Sequence, residues 1–138
     1  MAYWLFKSEP NKWSWDDQVA AGKKGTEWDG VRNYQARNMM REMKKGDRGF
    51  FYHSVDAREI VGIVEVVKTA HPDSTADSDT WECVDIRAVK KLKHPVSLDT
   101  VKGTEALAEM MLVKNSRLSV QPVSEAEWDT VLSLAESA

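Results

Sequence analysis

From Ala2 to Lys7 the chain runs aromatic and aliphatic and then breaks at Ser-Glu-Pro, which predicts a buried first strand followed by a turn. Ser14 with Asp17 three residues on resembles a capping box and opens a short helix ending at Gly22. After the loop "GKKGTEWDG" the spacing turns helical from Asn33: Ala36, Met39, Met40 and Met43 share one face, Arg37, Arg41, Lys44 and Lys45 lie largely away from it, and Gly46 closes the helix. Three strands are expected next, over 48–53, 60–69 and 80–92, with "HPDSTADSD" as a polar connection. The middle one, "IVGIVEVVK", is apolar on both faces and should be central in its sheet.

Ser97 and Thr104 can each cap a short helix, and the alternation of Leu118 and Val120 suggests a further strand. The last helix has the clearest local signals. Ser124 and Glu127 form a capping box, Val123 and Trp128 stand at the positions of a hydrophobic staple, and Trp128, Val131, Leu132 and Ala135 make an apolar stripe. Strands and helices interspersed without strict alternation argue for a single α+β domain over residues 1–138, built on a small curled sheet or barrel.

Composition narrows the function classes. With 19 Lys plus Arg against 22 Asp plus Glu the net charge is -3, so an electrostatic grip on nucleic acid by the whole surface is not expected. Residues 31–48 depart from that balance, with six basic side chains (Arg32, Arg37, Arg41, Lys44, Lys45, Arg48) against two acidic ones (Glu42, Asp47). Cys83 is the only cysteine, which fits a reducing compartment, and the apolar runs are too short for a signal peptide or a membrane span. A cytoplasmic monomer with no membrane partner is the expectation.

Enzymatic signatures are thin. His53, His71 and His94 fall in no metal-binding pattern, there is no phosphate-cradling glycine motif, and no metal or cofactor is expected. His71 and His94 each precede a proline and read as solvated loop residues, and Cys83 falls on the polar face of its strand with Asp85 and Arg87. Glu9, His53 and Ser54 can be assembled on paper into a hydrolytic site, with His53 or Glu9 as general acid or base.

Six of the twelve aromatic residues are tryptophan. Core positions are expected for Trp4 and Trp128 and favoured for Trp15 and Trp81. Trp28 follows "GKKGTE" and precedes Asp-Gly, a turn with no periodic apolar face to join, so its own position leaves core and binding open. The residues after it favour binding. Asn33 can cap a helix whose start offers N–H groups to an anion, and Arg32, Gln35, Arg37 and Asn38 add planar donors and acceptors suited to phosphates and base edges.

The segments "YWLFKSEP", "WSW", "TEWDGVRNYQARN", "MKKGD", "FYHS", "IVGIVEVV", "AHPD", "VSL" and "SRLSVQPVSEAEW" together resemble, in order and across nearly the whole chain, the EVE domain family. The resemblance implies a PUA-like fold, a curled β-barrel of five or six strands with short flanking helices, related to YTH and other readers of modified nucleotides. It implies a partner, DNA or RNA carrying a modified base, with cytosine methylated or hydroxymethylated at C5 the leading ligand class.

Carried onto this chain, it implies a pocket drawn from Ser8, Glu9, Trp28, Arg32, Asn33, Gln35, Asn38, Tyr52, His53, Ser54 and Ser119, with Trp13 as a further wall. Trp28 and Tyr52 would be the aromatic walls, and Arg32, Arg37 and Arg117 would hold phosphate. The short connection after His71-Pro72 puts any ligand contact by that loop in question. An enzyme acting on a modified nucleotide or nucleoside is the rival reading, and a module binding a small molecule or protein through the same pocket is a third.

Overall fold

The computed structural model describes residues 2–55, 57–115 and 117–137. Among these, six strands form one mixed sheet: β1 (Tyr3–Ser8), β2 (Thr26–Glu27), β3 (Arg48–His53), β4 (Glu59–Pro72), β5 (Glu82–Ser97) and β6 (Val120–Val123). Their order across the sheet is β2-β5-β4-β3-β1-β6. β4 is an inner strand, as its two-sided apolar pattern requires. The class is α+β, as expected, but the sheet is not closed into a barrel: β2 and β6 are its two ends. Both end strands are short, two and four residues, which leaves little backbone to pair across a closing seam.

One pairing decides where everything else goes. β1 and β3 are parallel, with Tyr3 opposite Arg48 and Ser8 opposite His53, whereas the other neighbours run antiparallel. A parallel pair needs a crossover, so residues 9–47 must return along one face of the sheet before β3 begins. That crossover carries α1 (Trp15–Ala20), β2 and α2 (Tyr34–Glu42). The remaining helices, α3 (Leu98–Lys102), α4 (Met111–Lys114) and α5 (Glu125–Ser137), follow β5, together with a 3-10 turn at Glu105–Leu107.

Side-chain alternation along the strands builds a core on each face. Trp4, Phe6, Phe51, Val64, Val84 and Ile86 pack against Trp15 of α1 and Ala36 and Met40 of α2. Leu5, Phe50, Tyr52, Ile60 and Ile63 pack on the other side against Val101, Leu107, Leu112 and Trp128. Trp128 stacks on Phe50 and Tyr3, at centroid distances of 4.0 and 4.4 Å.

Both capping boxes form. Ser14 Oγ accepts from Asp17 N while Asp17 Oδ2 accepts from Ser14 N, and Ser124 and Glu127 do the same for α5. Ser97 caps α3 by accepting from Thr100 N, but the Thr104 hydroxyl donates to Thr100 O and caps nothing. α2 ends at Glu42, earlier than Gly46, which instead takes a positive φ in the turn into β3. β5 is longer than its pattern indicated because His94 and Pro95 lie within it, in a stretch where the ladder jumps from Lys91 to Val96 and a proline costs no hydrogen bond. No described helix is long and apolar enough to cross a membrane.

Gly62 of β4 lies directly beneath the Trp15 ring of α1. A Cβ built there would come within 2.4 Å of two atoms of the Trp15 ring, so α1 can seat only over a glycine. Gly62→Ala should therefore cost about 1–3 kcal/mol in chemical unfolding, the usual range for overpacking. An unchanged unfolding midpoint would mean that Trp15 moves away without cost.

Candidate functional site

Where β1 runs out, the crossover begins, and the two leave a cleft of about 500 Å³ between them. That is within the usual range for sites that hold small molecules or single bases. One wall is the end of β1 and the turn after it: Lys7, Ser8, Glu9, Lys12 and Trp13. The opposite wall is Thr26 to Asn33, from β2 to the start of α2, and Ser119 closes the end next to β6.

Each wall is held by backbone chemistry. The Lys7 N–H donates to Ser119 O and the Ser54 N–H to Ser8 O, both at 2.9 Å, so the end of β1 stays paired with the residue before β6 and the residue after β3. The Ser8 hydroxyl donates to Trp13 O at 2.5 Å and the Trp13 indole N–H to Gln18 Oε1 at 2.9 Å, which sets the Trp13 ring against α1. Gln18 is itself buried and donates to Ile86 O at 3.0 Å. Glu9 and Lys12 pair across the turn at 3.1 Å.

The loop wall depends on a residue far along the chain. Asp73 Oδ2 accepts from Gly30 N at 2.9 Å and from Arg32 Nη1 at 3.2 Å, while Oδ1 accepts from Thr75 N at 2.8 Å and from the Thr75 hydroxyl at 2.6 Å. Gly30 takes φ +77 to present its N–H this way, in the Asp-Gly turn the sequence signalled. Burial alone would raise the Asp73 carboxyl, but the hydrogen bonds from Thr75, Gly30 and Arg32 outweigh it and hold the group below its ordinary range.

Trp28 serves core and cleft together. It is only 8% exposed, its N–H donates to Val84 O at 2.8 Å, and its ring meets Phe6 and Phe51 edge to face at 5.4 and 5.7 Å. The missing clue was β2: two residues pair with Asp85 and Ile86 of β5 and swing Trp28 into the apolar layer. No two-residue strand leaves a periodic signature.

The cleft is unevenly charged. Glu27 accepts from Ser74 N at 3.0 Å, and that bond outweighs its burial and keeps the carboxyl below its ordinary range. Asp29 is shifted up, first by burial and then by the nearby charges of Asp73 and Glu27, against the pull of Arg32. Burial lowers the Lys7 ammonium. Acceptors thus crowd the loop wall, while on the strand side Lys12 is paired with Glu9 and the Lys7 ammonium turns away, 5.9 Å from the Tyr52 ring centroid.

Of the residues singled out from sequence, Ser8, Glu9, Trp13, Trp28, Arg32, Asn33 and Ser119 line this cleft. Lys7, Lys12, Thr26, Glu27, Asp29, Gly30 and Val31 line it too and had no separate signal beyond their place beside those motifs. Gln35 and Asn38 are exposed on α2, where Asn38 Oδ1 accepts from Arg37 Nη2 at 2.9 Å. Asn33 caps α2 by accepting from Ala36 N at 2.9 Å. Arg117 is exposed in the turn before β6.

The "FYHS" residues sit behind the cleft. Tyr52 is buried in the core on the opposite face of the sheet from Trp28, with its hydroxyl shifted up by burial. His53 Nε2 accepts from Trp15 N at 3.0 Å, and burial lowers its pKa, so it is a neutral brace for the start of α1.

Three further expectations change. Trp81 is half-buried against the rings and guanidinium of Tyr34 and Arg32 instead of in the core. His71 is not a solvated loop residue: it lies in β4, with Nε2 2.7 Å from Asp85 Oδ1 and Nδ1 3.0 Å from Pro72 O. Cys83 is fully buried, covered by Glu27 of β2 at 3.5 Å, and its thiol is pushed up mainly by burial. Glu27, His71 and Cys83 bring ligand-type atoms within 4.8 Å of one another, but each of them already has a protein partner.

The Asp73 staple is testable through pH. A carboxyl lowered on folding contributes stability above the ordinary carboxylate range and loses it as pH falls through the folded value. Asp73→Asn should cost about 1–3 kcal/mol in urea unfolding at neutral pH, with the gap to the native chain narrowing in acid. A gap independent of pH would show that the charge on Asp73 does not matter.

The comparisons with known proteins agree on the family. A model of the EVE domain matches residues 2–134. Thymocyte nuclear protein 1 of Rattus norvegicus is 40% identical over 98% of this chain and 74% of its own length. A protein of Agrobacterium tumefaciens superposes with TM-score 0.96 at 58% identity, covering 98% of this chain and 93% of that one. Human THYN1, solved in complex with 5-methylcytosine-containing DNA, superposes with TM-score 0.92 at 36% identity over 100% and 99% of the two chains. The YTH domain of Zygosaccharomyces rouxii MRB1, at 15% identity and TM-score 0.62 over 99% and 88%, shares the fold alone, which is PUA-like. The chain belongs to the EVE domain family.

Proposed function

We propose that this protein binds a C5-modified cytosine of a nucleic-acid strand in the cleft between β1 and the Trp28–Asn33 loop, and releases it unchanged. The observation that carries the reading is the make-up of the cleft: tryptophans at 13 and 28, carboxylates at 27 and 29, and the polar side chains of Lys12, Arg32 and Asn33 within one cavity of about 500 Å³. Nucleic-acid binding by the human relative, whose structure holds 5-methylcytosine-containing DNA, supports it.

Cytosine suits these walls chemically. Its N4 amine is a donor that a carboxylate accepts, while O2 and N3 are acceptors for an ammonium or hydroxyl. An amine arriving beside Asp29 would give a hydrogen bond to a carboxylate that burial and, after it, the charges of Asp73 and Glu27 disfavour. Lys12 and Arg32, which line the cleft, would meet phosphate there, and Arg37 and Arg117 are further basic side chains outside it. Ser8, Glu9, Asn33 and Ser119 supply the remaining polar edge, and a hydroxymethyl group would find its partner among the Ser8 and Asn33 side chains.

Magnitudes set what each part must do. Stacking on an aromatic is worth about 1–3 kcal/mol per base, and extruding a base from a duplex costs a few kcal/mol, so stacking needs help from hydrogen bonds and phosphate contacts. One buried methyl adds about 0.8 kcal/mol, roughly a fourfold preference over plain cytosine. Binding without turnover is favoured by the state of His53, whose lone pair is taken by Trp15 N and which lies outside the cleft.

Trp28→Ala is a poor probe, since removing a ring wedged between Phe6 and Phe51 should cost about 3–5 kcal/mol of stability. Trp13 is half-buried, so Trp13→Ala should fold and lose about 5- to 150-fold in calorimetric affinity for a DNA strand carrying 5-methylcytosine. Thymine is the decisive competitor because it keeps the methyl group and replaces the N4 amine by an acceptor. Equal affinity for thymine and 5-methylcytosine strands, or any product formed from the ligand, would refute the reading.

A further inference from the structure

The outer surface of α2 carries an arrangement that the cleft does not use. Tyr34, the first residue of α2, is 60% exposed, although a ring of that size is normally tucked away. It lies against Trp81, with centroids 4.9 Å apart and planes 31° apart. The Arg37 guanidinium sits 4.9 Å from the Tyr34 centroid, and that of Arg32 5.7 Å from the Trp81 ring. Two arginines and two aromatics thus form one continuous patch, although the chain as a whole is net negative.

Arg37 is locked in that position. Its Nη1 donates to Thr80 O at 2.9 Å, and Nε and Nη2 both donate to Asn38 Oδ1, at 3.2 and 2.9 Å. A guanidinium held in place beside an aromatic offers a preorganised, positively charged surface on which a base can stack without loss of side-chain freedom. Arg32 joins this patch to the cleft, because the same side chain lines the cavity and lies over Trp81.

The geometry points to a second subsite: Arg37, Tyr34 and Trp81 form a stacking platform for the nucleotide next to the cleft-bound base of a DNA strand, with Arg32 at the join. The assignment rests on the modified-base reading. Base stacking on aromatic and guanidinium surfaces is the ordinary way that proteins hold unpaired nucleotides, and Arg37, whose guanidinium donates to the neutral acceptors Thr80 O and Asn38 Oδ1, brings a positive charge for the phosphate between the two. The alternative is a clamp that merely ties α2 to the segment before β5, and it predicts a loss of stability with no effect on affinity.

The test uses two probes, 5-methyldeoxycytidine monophosphate and a five-nucleotide DNA strand with 5-methylcytosine at its centre. In Tyr34→Ala the affinity for the strand should fall about 5- to 150-fold while that for the mononucleotide stays unchanged. Tyr34→Phe, which keeps the ring, should restore strand binding to within about twofold. Strand affinity in Tyr34→Ala equal to that of the native chain would overturn the platform and leave the cleft reading intact. An equal loss on both probes would also overturn it, because Tyr34 would then act through the cleft. Failure of the native chain to bind either probe would overturn both.

Discussion

The carboxylate of Asp73 holds the site together. The loop from Trp28 to Asn33 belongs to a crossover forced by the parallel pairing of β1 with β3, and beyond the short β2 pairing, which ends at the Trp28 N–H, it has no ladder to shape it. Asp73 substitutes for one by accepting the Gly30 N–H and the Arg32 guanidinium from the loop and both Thr75 donors from its own turn. Because the group is buried and fully engaged, the loop is tied to the end of β4 with little freedom. The cleft wall, the placement of Arg32 and the contact of Arg32 with Trp81 all follow from that anchor.

Trp28 shows how a small domain can use one residue for two purposes. Most of its ring fills the space between Phe6 and Phe51, and only its margin reaches the cleft. Wedging the ring in this way leaves it in a single orientation, so its margin is a rigid part of the cleft wall. Trp13 is the softer wall, half-buried and held through its indole N–H.

Legibility in the sequence followed the range of the interaction. The capping boxes at Ser14 and Ser124, the apolar face of α2 and the two-sided strand β4 are local patterns, and all of them appear in the fold. Features made by distant partners had no such signal. Asp73 stood in a run of polar residues and showed nothing of its role in holding Gly30 and Arg32. Cys83 read as half of an alternating strand until β2, too short to register, covered it. Trp81, for which a core position was favoured, and Tyr34 are separated by more than forty residues, so no local pattern brought the two rings together. The loop wall was legible in part because "WDGVRN" puts a tryptophan and planar donors on a turn, and the "KSEP" wall only through the family resemblance, whereas Tyr52 and His53 could not be assigned to a face without knowing which side of β3 the crossover covers.

Entry of a modified cytosine into this cleft is the central claim. The indole N–H signals of the six tryptophans report it directly by nitrogen-edited NMR. Adding 5-methyldeoxycytidine monophosphate should move the Trp13 and Trp28 signals in a saturable way and leave Trp128, on the far face of the sheet, where it was. Saturable shifts confined to Trp128, or no shift at Trp13 and Trp28 at saturating ligand, would contradict it.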